Sequence, residues 1–242
     1  MGNVSIRNER FSKYLRYKLN KDKVEVDDLY TITEMCLNKN DFNNEVTDFE
    51  IDGIRYFRSL NELYVKNFKV TNEFLRELAR LKKLKKLVFF CCEFDKNIKI
   101  KNKLEKLEVL KCINIFNIKV VNTSNIKISY SDVDFKFLKI LNNVKNIVLL
   151  NTFIGFNLGN DNLNRKNIIN LKKNINIKII DSKINENILF KFKMLENIIF
   201  VNTKINEDLK LYIEKNDRKK KINLNTREEY MEFTKEKGDI DV

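Results

Sequence analysis

The sequence predicts an α/β solenoid, in which one short strand-and-return unit is repeated and stacked around a continuous core. Three observations predict it. The apolar spacing of Leu84, Leu87, Phe89 and Phe94 recurs along the chain. The second anchors of the copies, Met35, Leu63, Leu87, Leu107, Ile126, Ile147, Ile177 and Ile198, follow one another at intervals of 19 to 30 residues. One position between the third and fourth anchors is nearly always small and able to hydrogen-bond: Asn40, Cys92, Cys112, Ser131, Thr152, Ser182 and Thr203, with Phe68 the exception.

Residues 7–20 open the chain as an amphipathic helix, because Phe11, Tyr14, Leu15 and Leu19 fall on one helical face. A polar-backed helix here would close the first end of a solenoid core. In each repeat the two middle anchors alternate with outward residues, the period of a half-buried strand. The chain must then turn and return. Thr71 or Asn72 begins a helical return with Phe74, Leu75, Leu78 and Leu81 on one face. Phe135, Leu138 and Leu141 suggest a shorter helical turn, whereas Lys96–Lys103 alternates and returns as extended chain. Ile118 to Val120 competes for a strand of its own, and Ile222 to Leu224 reads as a ninth, degenerate strand. Thr226 with Glu229 is a capping-box signature for a closing helix. The expected organisation is one repeat domain over 1–225, with 226–242 as its C-terminal cap and tail.

The small polar position has a physical rationale. A solenoid bends its backbone at that place, and buried N–H and C=O groups must find partners. A stack of residues 40, 92, 112, 131, 152, 182 and 203 can supply them. The same reading gives Cys92 and Cys112 a structural task in place of a catalytic or metal-binding one.

Composition narrows the chemistry. Among 242 residues there is no histidine, which removes the commonest general base and metal ligand. The four cysteines form no CxxC pair, no Gly-rich phosphate loop is present, and no metal or other cofactor is expected. No apolar window is long enough to span a membrane. The N-terminus has no signal-like apolar run, so reduced thiols and a cytoplasmic location are expected. The net charge of +13 accompanies abundant Lys, Asn and Ile with no Pro or Trp, a pattern that codon bias explains better than nucleic-acid binding.

With these repeats the chain resembles a bacterial leucine-rich repeat protein, of the type found in internalin-like repeat domains. Residues 24–35 and 49–60 are similar to the opening segments of that family. Later repeats depart from it by using Ile, Val and Phe, by their irregular lengths, and by the missing secretion signal and surface anchor. The resemblance implies a right-handed solenoid with about eight or nine parallel strands on its concave side, used to bind other proteins.

On that arrangement the outward strand residues form rows, and Tyr64, Val88, Phe90, Leu110, Val148, Leu150, Ile180, Ile199 and Val201 put an apolar surface where an idle face would be polar. The expectation is a monomeric, non-catalytic scaffold that binds a protein there. The alternative is a binder of nucleic acid or an anionic surface through Lys82, Lys83, Lys85, Lys86 and Arg218–Lys221, which would weaken steeply with salt.

Overall fold

In a computed structural model the chain forms two compact units, residues 1–125 and 126–242. The structure describes residues 9–42, 52–115, 118–134, 144–155, 167–170, 175–184, 188–191, 197–205, 207, 210, 211, 215 and 222–225. Each unit is a solenoid of parallel strands with few helices.

The first unit begins with α1 (Glu9–Leu19), whose Phe11, Tyr14 and Leu15 are buried. The Tyr14 hydroxyl donates to the Cys36 carbonyl at 2.7 Å, which ties the helix to the first strand. Burial pushes the Tyr14 phenol well above its ordinary range. A short α2 (Val26–Tyr30) follows. The main strands are β1 (Glu34–Asn38), β2 (Glu62–Lys66), β4 (Lys86–Phe90) and the last part of β6 (Ile98–Leu110). They pair in parallel with the second anchors in register, Met35 to Leu63 to Leu87 to Leu107. A side strand, β3 (Lys69–Val70), pairs with β5 (Glu93–Phe94). The return between them is α3 (Asn72–Leu78), where the Thr71 side chain accepts from the Phe74 N–H at 3.3 Å.

The extended return over 96–103 and the strand at Leu107 are one uninterrupted β6 of 13 residues. Its alternation breaks at Glu105 and Lys106, both exposed, so that buried side chains shift from Ile98, Ile100, Asn102 and Leu104 to Leu107 and Val109. At that bend the Lys85 carbonyl accepts two N–H groups, from Glu105 at 2.8 Å and Lys106 at 3.1 Å. The same doubly used carbonyl recurs at Asn61, toward Lys85 and Lys86, and at Thr33, toward Asn61 and Glu62. A chain bending there would otherwise leave one of the two N–H groups unpaired. Buried Asn102 takes the place of a helical return by donating to the carbonyls of Leu78 (2.9 Å) and Leu81 (3.3 Å) at the end of α3.

The division between the units falls inside β7 (Ile118–Ser129), which absorbs the ambiguous residues 118–120. In the second unit the main strands are β9 (Asn146–Leu150), β12 (Asn176–Ile180), β15 (Asn197–Val201) and β16 (Ile222–Asn225). These pair in parallel, Ile147 to Ile177 to Ile198 to Ile222, so residues 222–225 are indeed a strand. Side strands β8 (Val133–Asp134), β10 (Phe153–Gly155) and β13 (Lys183–Ile184) form a second parallel sheet, and β11 (Asn167–Asn170) pairs with β14 (Ile188–Lys191). The expected helical turn over 135–141, the basic run at 218–221 and the closing helix from Thr226 lie outside the described residues.

Every main strand from β2 to β15 ends in the same corner. The next residue has a left-handed backbone: Asn67 (φ 63°), Cys91 (52°), Lys111 (51°), Tyr130 (52°), Asn151 (49°), Asp181 (48°) and Asn202 (45°). At five of these corners the N–H of that residue crosses to the neighbouring strand, from Asn67 to Phe90, Cys91 to Leu110, Tyr130 to Leu150, Asn151 to Ile180 and Asp181 to Val201, at 2.9–3.0 Å. The small polar position is the very next one. The corner thus reverses the chain and keeps the rungs bonded to each other.

Candidate functional site

Two places in the fold carry side chains beyond the apolar core: the inside of the corners and the outer face of the main strands.

Inside the corners of the second unit, the Ser182 hydroxyl donates to the Ile180 carbonyl (2.7 Å) and accepts the Thr152 N–H (3.1 Å), with the Thr152 hydroxyl also 3.1 Å away. Thr203 reaches the carbonyls of Ile179 (2.9 Å) and Val201 (3.0 Å), and Ser131 reaches Ser129 (3.0 Å). In the first unit sulfur does this. The Cys92 N–H donates to Cys112 Sγ at 3.3 Å. The Cys92 thiol lies 3.4 Å from the carbonyls of Val65 and Phe90, and Cys112 lies 3.2 Å from that of Leu110. The hydrogen bond with Cys112, together with burial, pushes the Cys92 thiol far up from its ordinary range, so it is a poor nucleophile. Asn40 differs from these six. It is exposed in a 3₁₀ turn (Lys39–Phe42), and its backbone N–H donates to the Asn38 side chain at 3.2 Å. The first strand lacks the left-handed residue that turns its successors inward.

On the outer face of the first unit, register aligns Tyr64, Val88 and Glu108 in one row and Lys66, Phe90 and Leu110 in the next. Tyr64, Phe90 and Leu110 are half-buried, but Val88 is only 7 % exposed. Its short side chain stands in one row between Tyr64 and Glu108, on rungs about 4.8 Å away. Phe90 has a lysine on either side: the Lys66 and Lys111 ammonium groups lie 6.0 Å and 5.9 Å from the ring centre. Tyr64 is fixed by charge. Its hydroxyl donates to Glu62 at 3.0 Å, and the Lys86 ammonium donates to that hydroxyl at 2.7 Å and to Glu62 at 3.0 Å. Bonds from Lys86 and Tyr64 hold the Glu62 carboxyl below its usual range, and the Tyr64 and Glu62 bonds raise Lys86. Glu62 was missed in the sequence. The available signal was that Glu62 and Lys86 fill the same template position in successive repeats with opposite charge.

The second unit has a different outer face. Val148, Lys178 and Ile199 share one row, and Leu150, Ile180 and Val201 the next. Val148, Leu150, Ile180 and Ile199 are half-buried. Val201 is fully buried, so it is unavailable to a partner. Its strand ends against the corner, where alternation assigns a direction but not exposure. Amides flank this face: Asn176 donates to Asn146 at 3.0 Å, and Asn202 donates to Asp181 at 2.8 Å. Asn151, Thr152, Asp181, Ser182, Lys183, Asn202 and Lys204 line an open polar groove along the corners.

Of the residues expected to meet an anionic partner, Arg218–Lys221 lie outside the described residues, and Lys82 and Lys83 are exposed. Lys85 pairs with Glu105 at 2.9 Å and Lys86 with Glu62, while Lys82 reaches the Ala79 carbonyl at 3.5 Å. Among the described residues no group of three acidic or thiol side chains is placed to hold a metal ion, and no helix is long and apolar enough to cross a membrane. No protein-family model matches the chain, and no curated protein is significantly similar to it.

Proposed function

We propose that the chain is a leucine-rich repeat solenoid of the right-handed, concave-sheet type, working in the cytoplasm as a non-catalytic module that binds a protein on the outer face of its main strands. Phe90 is the observation that carries this reading: a large ring held half out of the core in the middle of a parallel sheet, with a lysine on each side. A half-exposed aromatic beside a rigid charged group is the composition of an interface hot spot. Tyr64 supports it, because its hydroxyl is fixed by Lys86 and Glu62, and a prearranged side chain loses little entropy when it binds. Leu110 extends the first unit's surface. In the second unit Val148, Leu150, Ile180 and Ile199 form a surface of the same kind. Val88 and Val201 drop out of the binding set because they are buried. The corner thiols support a reducing compartment, since Cys92 and Cys112 act as hydrogen-bonding groups only while unoxidised.

The test is affinity capture from native lysate with wild type, Phe90→Asp and Leu150→Asp, each variant first checked for an unchanged circular dichroism spectrum. The reading expects a set of proteins, retained at 0.3 M salt or so, that is lost with Phe90→Asp. The same proteins captured by all three folded chains would overturn it.

A further inference from the structure

We propose that the outer side of the first half of β6 is a binding site for the phosphate backbone of double-stranded nucleic acid, engaged without regard to base sequence. Lys99, Lys101 and Lys103 occupy alternate positions of this strand, and all three are exposed. Their partners in the alternation, Ile98, Ile100, Asn102 and Leu104, are buried, which fixes the direction of the lysines. Buried Asn102 pins the strand to the end of α3 with two hydrogen bonds, so the three cations are carried on a held backbone and not a floppy loop.

Close spacing on one strand, with no acid between them, separates this row from the general basic excess. Several other cations of the same unit are engaged in ion pairs: Lys86 with Glu62, Lys85 with Glu105, Lys106 with Glu108, Arg76 with Glu73 and Arg80 with Glu77. Among the described residues no ion pair involves Lys99, Lys101 or Lys103. No acid occurs in the sequence between Asp95 and Glu105.

The row's shape selects the partner. At about 3.3 Å per residue, the first and third lysines stand about 13 Å apart. Neighbouring lysines of the row stand about 7 Å apart, a spacing that lets them face successive phosphates along one strand of a duplex, whose charge density is high. Single strands are held by aromatic stacking along the groove, and the outward positions of this row hold no aromatic residue. Lipid headgroups are recognised by clusters of about four to eight basic residues or by a basic patch with an apolar anchor, and the row has three lysines and no such anchor.

The experiment measures fluorescence anisotropy of a labelled 20-base-pair DNA duplex of arbitrary sequence, from 25 to 200 mM salt. It compares wild type, Lys99→Gln/Lys101→Gln/Lys103→Gln, the same three sites changed to Arg, and a charge-matched control, Lys13→Gln/Lys23→Gln/Lys69→Gln. Circular dichroism and the melting midpoint confirm that each variant is folded. Wild type is expected to bind with a dissociation constant of about 1 to 100 µM. The Gln variant at the row should lower the slope of log affinity against log salt by about 2 to 3, with the Arg variant and the control near wild type. Equal loss in the row and control variants would mean a diffuse charge effect and overturn the site. So would no binding by wild type at 25 mM salt, or binding to phosphatidylserine vesicles without binding to the duplex.

Discussion

The two units build the same corner from different atoms. In residues 1–125 the rungs after Phe68 are thiols, Cys92 and Cys112; in residues 126–242 they are hydroxyls, Ser131, Thr152, Ser182 and Thr203. Sulfur sits 3.2–3.6 Å from its carbonyls, whereas the hydroxyls of Ser131, Ser182 and Thr203 sit 2.7–3.0 Å from theirs. The geometry requires a small group that can both donate to a carbonyl and accept the N–H of the neighbouring rung. It does not require oxygen. The longer, weaker thiol bonds coincide with a core rich in large rings, including the edge-to-face pair Phe89 and Phe94 at 5.0 Å. Among the described residues, the second unit's core is mostly isoleucine, with tighter polar rungs. One unit relies more on ring packing and the other more on its corners.

Mutations can break that contrast, from the largest effect downward. Phe89→Ala removes a fully buried ring and should cost about 3–5 kcal/mol by urea unfolding followed by circular dichroism. Ser182→Ala leaves the buried Thr152 N–H without its acceptor and should cost about 1–3 kcal/mol. Cys112→Ala makes the matching deletion at the Cys92 N–H. If oxygen rungs bear more of the load, it should cost less than Ser182→Ala in the same assay; an equal or larger loss would erase the proposed division. Smaller still is the strain of the left-handed corner. Asn and Asp tolerate it best among side chains, and the second unit uses them three times, at Asn151, Asp181 and Asn202. Cys91 has no such tolerance, so Cys91→Asn should stabilise the protein by about 0.5–1 kcal/mol, read as a higher denaturant midpoint.

The smallest effect is electrostatic. The lowered Glu62 pKa means that its contribution is present above the ordinary glutamate range and is lost as pH falls through the lowered value. Lys86, raised, contributes below its ordinary value and loses that contribution only in strong alkali. Because Glu62 is largely solvated, the pair should be worth well under about 1 kcal/mol. Lys86→Met should flatten that acid-side dependence, measured as melting midpoint against pH between about 3 and 7.

Much of the first unit was legible because its anchors repeat with one spacing: Leu63, Leu87 and Leu107 stack in register as their template positions imply. Ile222 stacks too, despite a degenerate repeat. What escaped has physical causes. The left-handed corner was visible only as Asn at 67, 151 and 202, and Cys91, Lys111 and Tyr130 hide it by adopting an unfavoured backbone. The bend inside β6 is a change of alternation parity at Glu105 and Lys106, which strand patterning reads as two elements. Alternation also gave direction without exposure, so Val88 and Val201 were placed on the partner surface although neighbours cover them. Asn40 matched the template by residue type, but its strand lacks the corner that would turn it inward.

The doubly used carbonyls and the left-handed corners together have an evolutionary consequence. Thr33, Asn61 and Lys85 set where a strand begins, and the corner after Lys66, Phe90 or Leu110 sets where it ends. Pairing register is therefore fixed at both ends of each strand, independently of the chain that returns. Insertions and deletions in a return add only a slowly growing loop-closure cost and leave every facing residue in place. One residue gained between the shared carbonyl and the corner would instead turn the whole strand over, core side outward. Lineages of this fold should therefore vary freely in the returns, as the intervals of 19 to 30 residues within this single chain already do, and hardly at all in the five-residue strands.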